Sequence, residues 1–405
     1  MDYRLSPEDE KYRQDLRTWL EKTFPKDDPL PNTDTIEDTK RTYQSYQRKL
    51  FEGGYAGILY SKEYGGREGT MIQEMILQEE LTIYAFNNAA SINGIGMGMA
   101  LTTINAVGTE EQKAMFLEKM LNGTHVWVQC FSEPNAGSDV ASITTRAEKK
   151  GDHYVINGQK IWTSSAQYAD WGLVLVRTDP NKPKHKGLSY LLLDMKSPGV
   201  DIRPIKQITG NAGFNEVFFD DVKTPLNMLV GKEDEGWMIA ITTLMFERVM
   251  GDLDRANSNR MEFDNLLNMA RGVKRNGKPV LDDTDFRRKI AKCYCDLMVL
   301  KYSGLRNFSK MASGGIPGPE GSIGKLLWSI LAITMSELAM DIQGPYNQLV
   351  EDSPLCIDKG TFQTNYLGAP GLTIAGGSTE IMKNIIGERV LGLPKDMARA
   401  KFTTK

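Results

Sequence analysis

Cys130-Phe131-Ser132-Glu133-Pro134-Asn135-Ala136-Gly137-Ser138-Asp139 is followed, one short segment later, by Asn157-Gly158-Gln159-Lys160-Ile161-Trp162-Thr163-Ser164-Ser165. Both stretches combine hydroxyl residues and glycines with a large aromatic. They lie in a region, Val126 to about Val230, whose segments are short, β-branched and punctuated by turns. His153–Ile156, Trp171–Arg177, Leu188–Asp194 and Glu216–Phe219 read as strands, and Asn157-Gly158 and Ser197-Pro198-Gly199 read as turns. An antiparallel β domain is expected there.

On both sides of this region the period is helical. Ser6 is the expected N-cap of a helix over Pro7–Phe24, with proline at its first position and acids in its first turn. A Pro/Asp-rich break follows at Pro25–Asp34. Further helices are expected over Glu37–Glu52, Met71–Tyr84 and Thr109–Leu121. After Gly231, Trp237–Asp252, Phe286–Ala312 and Ser322–Ile342 are long enough for a helical bundle. The expected fold is α+β: an N-terminal helical domain (1–125), a middle antiparallel β-barrel or sandwich domain (126–231) and a C-terminal helical bundle domain (232–405).

The composition sets outer limits. The chain has 405 residues, 40% hydrophobic and 25% charged, with net charge −3. That excludes a disordered chain, and mixed charge gives no polybasic surface for nucleic acid or membrane. No apolar stretch reads as a membrane span and the N-terminus does not read as a signal, so no membrane insertion and a cytoplasmic location are expected. His125, His153 and His185 lack zinc-type spacing. Cys293 and Cys295 are two apart on an expected helix and so face different ways. Buried free thiols, not a metal site or a disulfide framework, are expected of the four cysteines.

The two opening stretches resemble the flavin-binding core of the acyl-CoA dehydrogenase family. The resemblance continues in order through Gly213-Phe214-Asn215-Glu216-Val217-Phe218-Phe219-Asp220-Asp221-Val222, through Val230-Gly231 and Glu235-Gly236-Trp237, to Ile385-Ile386-Gly387-Glu388-Arg389-Val390-Leu391-Gly392-Leu393-Pro394. It implies FAD as cofactor and an acyl-CoA thioester as substrate. It also implies that Cys130, Ser132, Gly137, Ser138, Trp162 and Ser164 form the cofactor site. Ser132 and Ser164 would hydrogen-bond near the pyrimidine edge and N5, Trp162 would pack beside the ring, and Ser138 would lie near the pyrophosphate or the pantetheine arm. Alone, each serine reads as a turn or cap residue and Trp162 as core; the joint pattern reverses that.

The reaction implied is α-proton abstraction with transfer of the β hydride to the flavin, giving a trans-2-enoyl-CoA. It needs a desolvated base and a donor for the thioester carbonyl. Many family members carry the base in a loop before the last helix. Here that loop reads Thr373-Ile374-Ala375-Gly376-Gly377-Ser378-Thr379-Glu380-Ile381, and the base position falls on Gly376. Glu380 reads as a helix N-terminal acid. Isovaleryl-type members carry the base on a helix of the C-terminal domain, where this chain reads Leu244-Met245-Phe246-Glu247-Arg248-Val249-Met250. Glu247 shares a helical face with Trp237, Ala240 and Leu244. The resemblance implies Glu247 as base, the Gly376 N–H as carbonyl donor and Arg248 in the substrate site. A structural Glu247–Arg248 pair is the plainer alternative.

Ser91-Ile92-Asn93-Gly94-Ile95-Gly96-Met97-Gly98-Met99 matches the segment that shapes the acyl pocket in this family. Gly94, Met97 and Gly98 are small or compliant and imply room for a bulky or branched acyl group; close helix packing is the alternative. Two stretches depart from the family pattern where it reaches a neighbouring subunit's cofactor: Ala270-Arg271-Gly272-Val273-Lys274-Arg275-Asn276-Gly277-Lys278-Pro279, and Asp341-Ile342-Gln343-Gly344-Pro345-Tyr346-Asn347. The departure is similar to a bacterial branch acting on bulky substrates, some of whose members are heteromeric. A homo-oligomer or a heterotetramer with a related subunit is therefore expected, with electron-transferring flavoprotein as electron acceptor. An acyl-CoA oxidase, a flavin monooxygenase and a non-catalytic partner subunit are the rival assignments.

Overall fold

The computed structural model describes residues 4–25, 33–83, 92–315, 318–351 and 353–395; the side chains of 247–254 lie outside the description. The chain divides into two compact units, Met1–Glu247 and Arg248–Lys405.

The first unit opens with helices α1 (Pro7–Thr23), α2 (Ile36–Glu52) and α3 (Met71–Ile83). Ser6 caps α1 as its sequence implies, its side chain accepting from the Asp9 N–H. Tyr84 and Ser91 fall outside the described residues. A π-helical turn, Gly96–Ala100, leads into α4 (Leu101–Val107), and α5 (Glu110–Leu121) follows behind a Thr109/Gln112 capping box.

Eight strands then form one sheet: β1 (Trp127–Cys130), β2 (Arg146–Lys150), β3 (His153–Ser164), β4 (Trp171–Arg177), β5 (Leu188–Asp194), β6 (Val200–Ile205), β7 (Phe214–Pro225) and β8 (Leu229–Val230). Their order is β6-β7-β3-β2-β4-β5-β8, with β1 on β4. Two expectations are corrected here. The sheet is open, not a closed barrel, because β6 and β8 end the path without pairing each other. Nor is it purely antiparallel, since β4 runs parallel to β1 and β2.

A third correction concerns Asn157-Gly158, which is a bulge inside β3 and not a hairpin turn. Asn157 is held there by Asp221, donating to its carboxylate at 2.9 Å and accepting from its N–H at 3.0 Å. Gly158 takes φ +147, where an added Cβ would meet Thr145 Oγ1 at 2.5 Å; β2 and β3 approach too closely for a side chain. The N-terminal helices and the sheet share one apolar core containing Ile104, Phe116, Leu117, Trp127, Leu173 and Tyr190, with Ile239 and Ala240 from the helix that follows.

That helix, α6, spans Gly236–Gly272, well beyond the expected end at Asp252. In the second unit a small hairpin of β9 (Lys274–Arg275) and β10 (Lys278–Pro279) turns at Asn276-Gly277, both with positive φ. Helices α7 (Thr284–Ala312), α8 (Gly321–Gln343), α9 (Thr361–Leu372) and α10 (Thr379–Ile385) complete it. Their core includes Phe263, Leu266, Leu297, Leu300, Leu331, Met335 and Ile342. The segment Gly321–Gln348 is long and apolar enough to cross a membrane, contrary to the expectation of no such stretch; half of its most apolar window is buried within the protein. Cys293 is buried and Cys295 exposed, as their spacing requires, so Cys295 is an exception to the expected buried thiols.

Candidate active site

Strand β1 delivers the chain to the first of the two decisive stretches. Cys130 ends the strand opposite Val174, fully buried, and burial pushes its thiol up to about 12. Its side chain is part of the sheet core. Beyond it the backbone folds into a tight turn in which Glu133 and Ala136 exchange N–H···O bonds of 3.1 and 3.0 Å. Gly137 and Ser138 follow, exposed, and an added Cβ at Gly137 would meet nothing within 4 Å. Asp139 accepts from Lys184 Nζ at 2.7 Å, and Lys184 and the Ser142 hydroxyl hold its carboxyl below the usual range.

The second stretch closes on the first. The Ile161 N–H donates to the Ser132 carbonyl at 2.9 Å. There the register of β3 against β7 shifts between Lys160 and Thr163. Trp162 takes a left-handed φ of +60 and leaves its side chain 56% exposed, edge-on to Phe214 at 6.0 Å. For a bulky residue this backbone is strained by about 1–3 kcal/mol. A strained, half-exposed indole is what a ring-stacking wall requires and what a core residue avoids. Ser164 is half-buried opposite Phe214, and Ser165, again with positive φ, is tied to the Gly213 carbonyl at 2.8 Å.

Two residues whose role the sequence pattern does not reveal, Lys160 and Glu133, join these stretches. Lys160, with no exposed surface, donates to the Phe131 carbonyl and to Glu133 Oε1, both at 2.9 Å. Glu133 also accepts from the Thr144 N–H at 2.7 Å, the Thr144 hydroxyl at 2.9 Å and the Thr145 N–H at 2.8 Å. Burial pushes the Glu133 carboxyl up, but Lys160 and these donors outweigh it and hold the group at about 2. Burial lowers the Lys160 ammonium, while the Glu133 carboxylate and the Phe131 carbonyl favour the proton on it.

Asn93 anchors the glycine-rich segment, accepting from the Trp127 N–H at 2.8 Å and donating to Tyr43 Oη at 2.5 Å. Beyond it the chain enters the π-helical turn. Gly96 faces Asn93 so closely that a Cβ would lie 2.0 Å from Asn93 Oδ1, whereas at Gly94 and Gly98 a Cβ would meet nothing within 4 Å. Met97 packs against the shared core. Gly94 and Gly98 therefore have open space beside them among the described residues, and π-turns of this kind are frequent at functional sites.

A buried hydroxyl chain, not foreseen from the sequence, lies further along α4. Thr103 donates to Thr243 Oγ1 at 2.9 Å, and Tyr190 Oη lies 3.1 Å from the same atom. Tyr190 also packs edge-on to Phe131 at 5.7 Å. Thr243 is on α6, and position 247 lies one turn further along the same helical face. The Glu247 and Arg248 side chains lie outside the described residues. In the second unit Gly376 is exposed with φ +65, in the loop between α9 and α10. Ser378 caps α10 and Glu380 sits in its first turn, as expected. Arg275 and Gly344, from the two departing stretches, are neighbours: a Cβ on Gly344 would lie 3.5 Å from Arg275 Nη2.

An aromatic wall beside serine hydroxyls, next to open backbone at Gly137-Ser138, suits a flavin with its phosphates. Set in a helix–sheet–helix fold, these residues fit a flavoprotein oxidoreductase. Family models for the N-terminal, middle and C-terminal domains of acyl-CoA dehydrogenases match residues 6–124, 129–222 and 234–391. The Mycobacterium tuberculosis acyl-CoA dehydrogenase IpdE1 is 38% identical over 360 residues, 87% of this chain and 88% of that one. Among solved structures, the Tcur3481-Tcur3483 steroid ACAD is 25% identical with a TM-score of 0.83, covering 98% of this chain and 100% of that one. The ChsE4-ChsE5 complex from Mycobacterium tuberculosis is 28% identical, with a TM-score of 0.82 and the same coverage. The chain belongs to the acyl-CoA dehydrogenase family and is an FAD-dependent oxidoreductase.

Proposed function

We propose that the chain catalyses α,β-dehydrogenation of a bulky acyl-CoA to the trans-2-enoyl-CoA, with Glu247 as base. FAD, when bound, supplies the two-electron acceptor for the β hydrogen. Ser132 and Ser164 donate to the polar edge of the ring system, Trp162 walls it, and Gly137 and Ser138 lie along the pyrophosphate. Cys130 contributes through its backbone, because its side chain is core. The observation that carries this assignment is Trp162: exposed, on strained backbone, and next to Ile161, whose N–H donates to the Ser132 carbonyl.

Glu247 removes the α proton, and the Gly376 N–H holds the thioester carbonyl as enolate charge develops. Arg248 serves the substrate site. Support for Glu247 comes from the missing side chain at Gly376 and from the helical face that position 247 shares with buried Ala240 and Thr243. In the functional division, 1–125 shapes the acyl pocket, 126–231 holds the flavin, and 232–405 supplies the base and carbonyl donor. The room that the described residues leave at Gly94 and Gly98, with Met97 beside them, supports a bulky acyl group. The similar steroid ACAD makes a steroid side-chain thioester the first candidate.

A cytoplasmic oligomer is proposed, delivering electrons to an electron-transferring flavoprotein. The second unit exposes Val350, Leu355, Ile374, Leu391 and Leu393, each more than half, which supports a covering partner. The two similar complexes make a related subunit the leading candidate for that partner.

Anaerobic titration of the FAD-loaded protein with a panel of acyl-CoAs tests the assignment. Steroid side-chain or other bulky thioesters should bleach the flavin band and yield the enoyl-CoA. A panel that leaves the band untouched, with the related subunit present, contradicts it.

A further inference from the structure

Lys160 and Glu133 form a buried ion pair whose partners lie in the two stretches carrying the flavin contacts and in the Thr144-Thr145 segment that leads into β2. Burying a charged pair is costly, and replacing such pairs by apolar residues is often neutral or stabilising. Fold stability alone therefore does not account for it. Its connections are local to the site. Lys160 Nζ holds the carbonyl immediately before Ser132 and the carboxylate immediately after it, at 2.9 Å each. The next residue, Ile161, donates to the Ser132 carbonyl itself at 2.9 Å. Two residues beyond Lys160 stands Trp162, in the bulge where β3 leaves its register with β7. Glu133 carries the same grip across to Thr144 and Thr145, where the loop returns to β2. Ser132 and Trp162 are thus joined to one buried hydrogen-bonded cluster centred on the Lys160–Glu133 pair.

We propose that Glu133 and Lys160 are positioning residues that preassemble the flavin site, fixing the Ser132 turn and the Trp162 bulge in register before FAD binds. This rests on the assignment of Ser132, Trp162 and Ser164 to the flavin. Removing either charge frees the turn, so FAD binding must then pay the ordering cost that the pair removes in advance.

The test uses the full chain as Lys160→Met, Glu133→Gln and the double variant, with Trp162→Ala and Ser164→Ala in parallel. FAD affinity of the apoprotein is read by quenching of flavin fluorescence. The visible band shape of bound FAD is recorded, and folding is checked by far-ultraviolet circular dichroism. Each single pair variant should bind FAD at least tenfold more weakly with an altered band shape, and the double variant should be no worse than the weaker single. If Lys160→Met does not fold, Glu133→Gln, which keeps the shape, decides by the same criteria. A folded pair variant with affinity within twofold of the parent and an unchanged band overturns the proposal. If Trp162→Ala and Ser164→Ala also leave affinity unchanged, the flavin assignment itself fails. If they weaken binding and the pair variants do not, only the positioning role fails.

Discussion

Thr243 Oγ1 stands 2.9 Å from Thr103 Oγ1 and 3.1 Å from Tyr190 Oη, a buried junction of α4, β5 and α6 one turn before position 247. All three side chains are fully buried, so none can turn to water instead. Thr243→Val leaves two enclosed hydroxyls short of a partner and should cost about 1–3 kcal/mol. Chemical denaturation of the apoprotein reads this directly. Because the junction fixes the helix face that carries Glu247, the variant should also slow flavin reduction.

Trp162→Gly should move stability and cofactor binding in opposite directions. Glycine accepts the left-handed backbone at that position without strain, so the apoprotein should gain up to about 1 kcal/mol. The wall for the ring is lost at the same time, so FAD should bind at least tenfold more weakly. Thermal melts of the apoprotein and FAD titration of the same sample read the two effects; a loss of both together would mean that the indole is simply part of the core.

Acid stability should carry the signature of Glu133. Its folded carboxyl is held at about 2 against an ordinary 4.5, facing Lys160 with Arg177 nearby. A depressed folded value contributes stability that is fully present above about 4.5 and is lost as pH falls toward about 2. The melting temperature of the parent should therefore fall across that window, and Glu133→Gln should start lower at neutral pH and fall less.

Gly98→Leu should separate substrate from fold. Among the described residues an added Cβ at that position meets nothing within 4 Å, so the melt should shift by no more than about 0.5 kcal/mol. Bulky thioesters should lose at least tenfold in kcat/KM while short straight-chain ones change little. Equal losses on both would place the segment in helix packing and not in the acyl pocket.

Much of this was legible in the residues. β4 and β5 have the bounds expected, because each is a predominantly apolar run buried on both faces along most of its length. The cap at Ser6 follows from its hydroxyl and the proline after it. Asn157-Gly158 misled because pairing of β3 with both β2 and β7 overrode a local turn preference. Lys160 carried no signal, since lysine is almost never buried unless paired and its partner lies far back in the chain. The Thr103–Thr243 contact joins residues 140 apart in sequence, which no local pattern reveals.

The base assignment is tested most directly by single-turnover reduction of FAD-loaded Glu247→Gln under anaerobic conditions, with a thioester that bleaches the parent. Glutamine keeps the shape and cannot take a proton, so FAD should be retained and bleaching should slow by at least a thousandfold, about 4 kcal/mol of lost transition-state stabilisation. Bleaching within threefold of the parent, with FAD retained, would contradict Glu247 as the base.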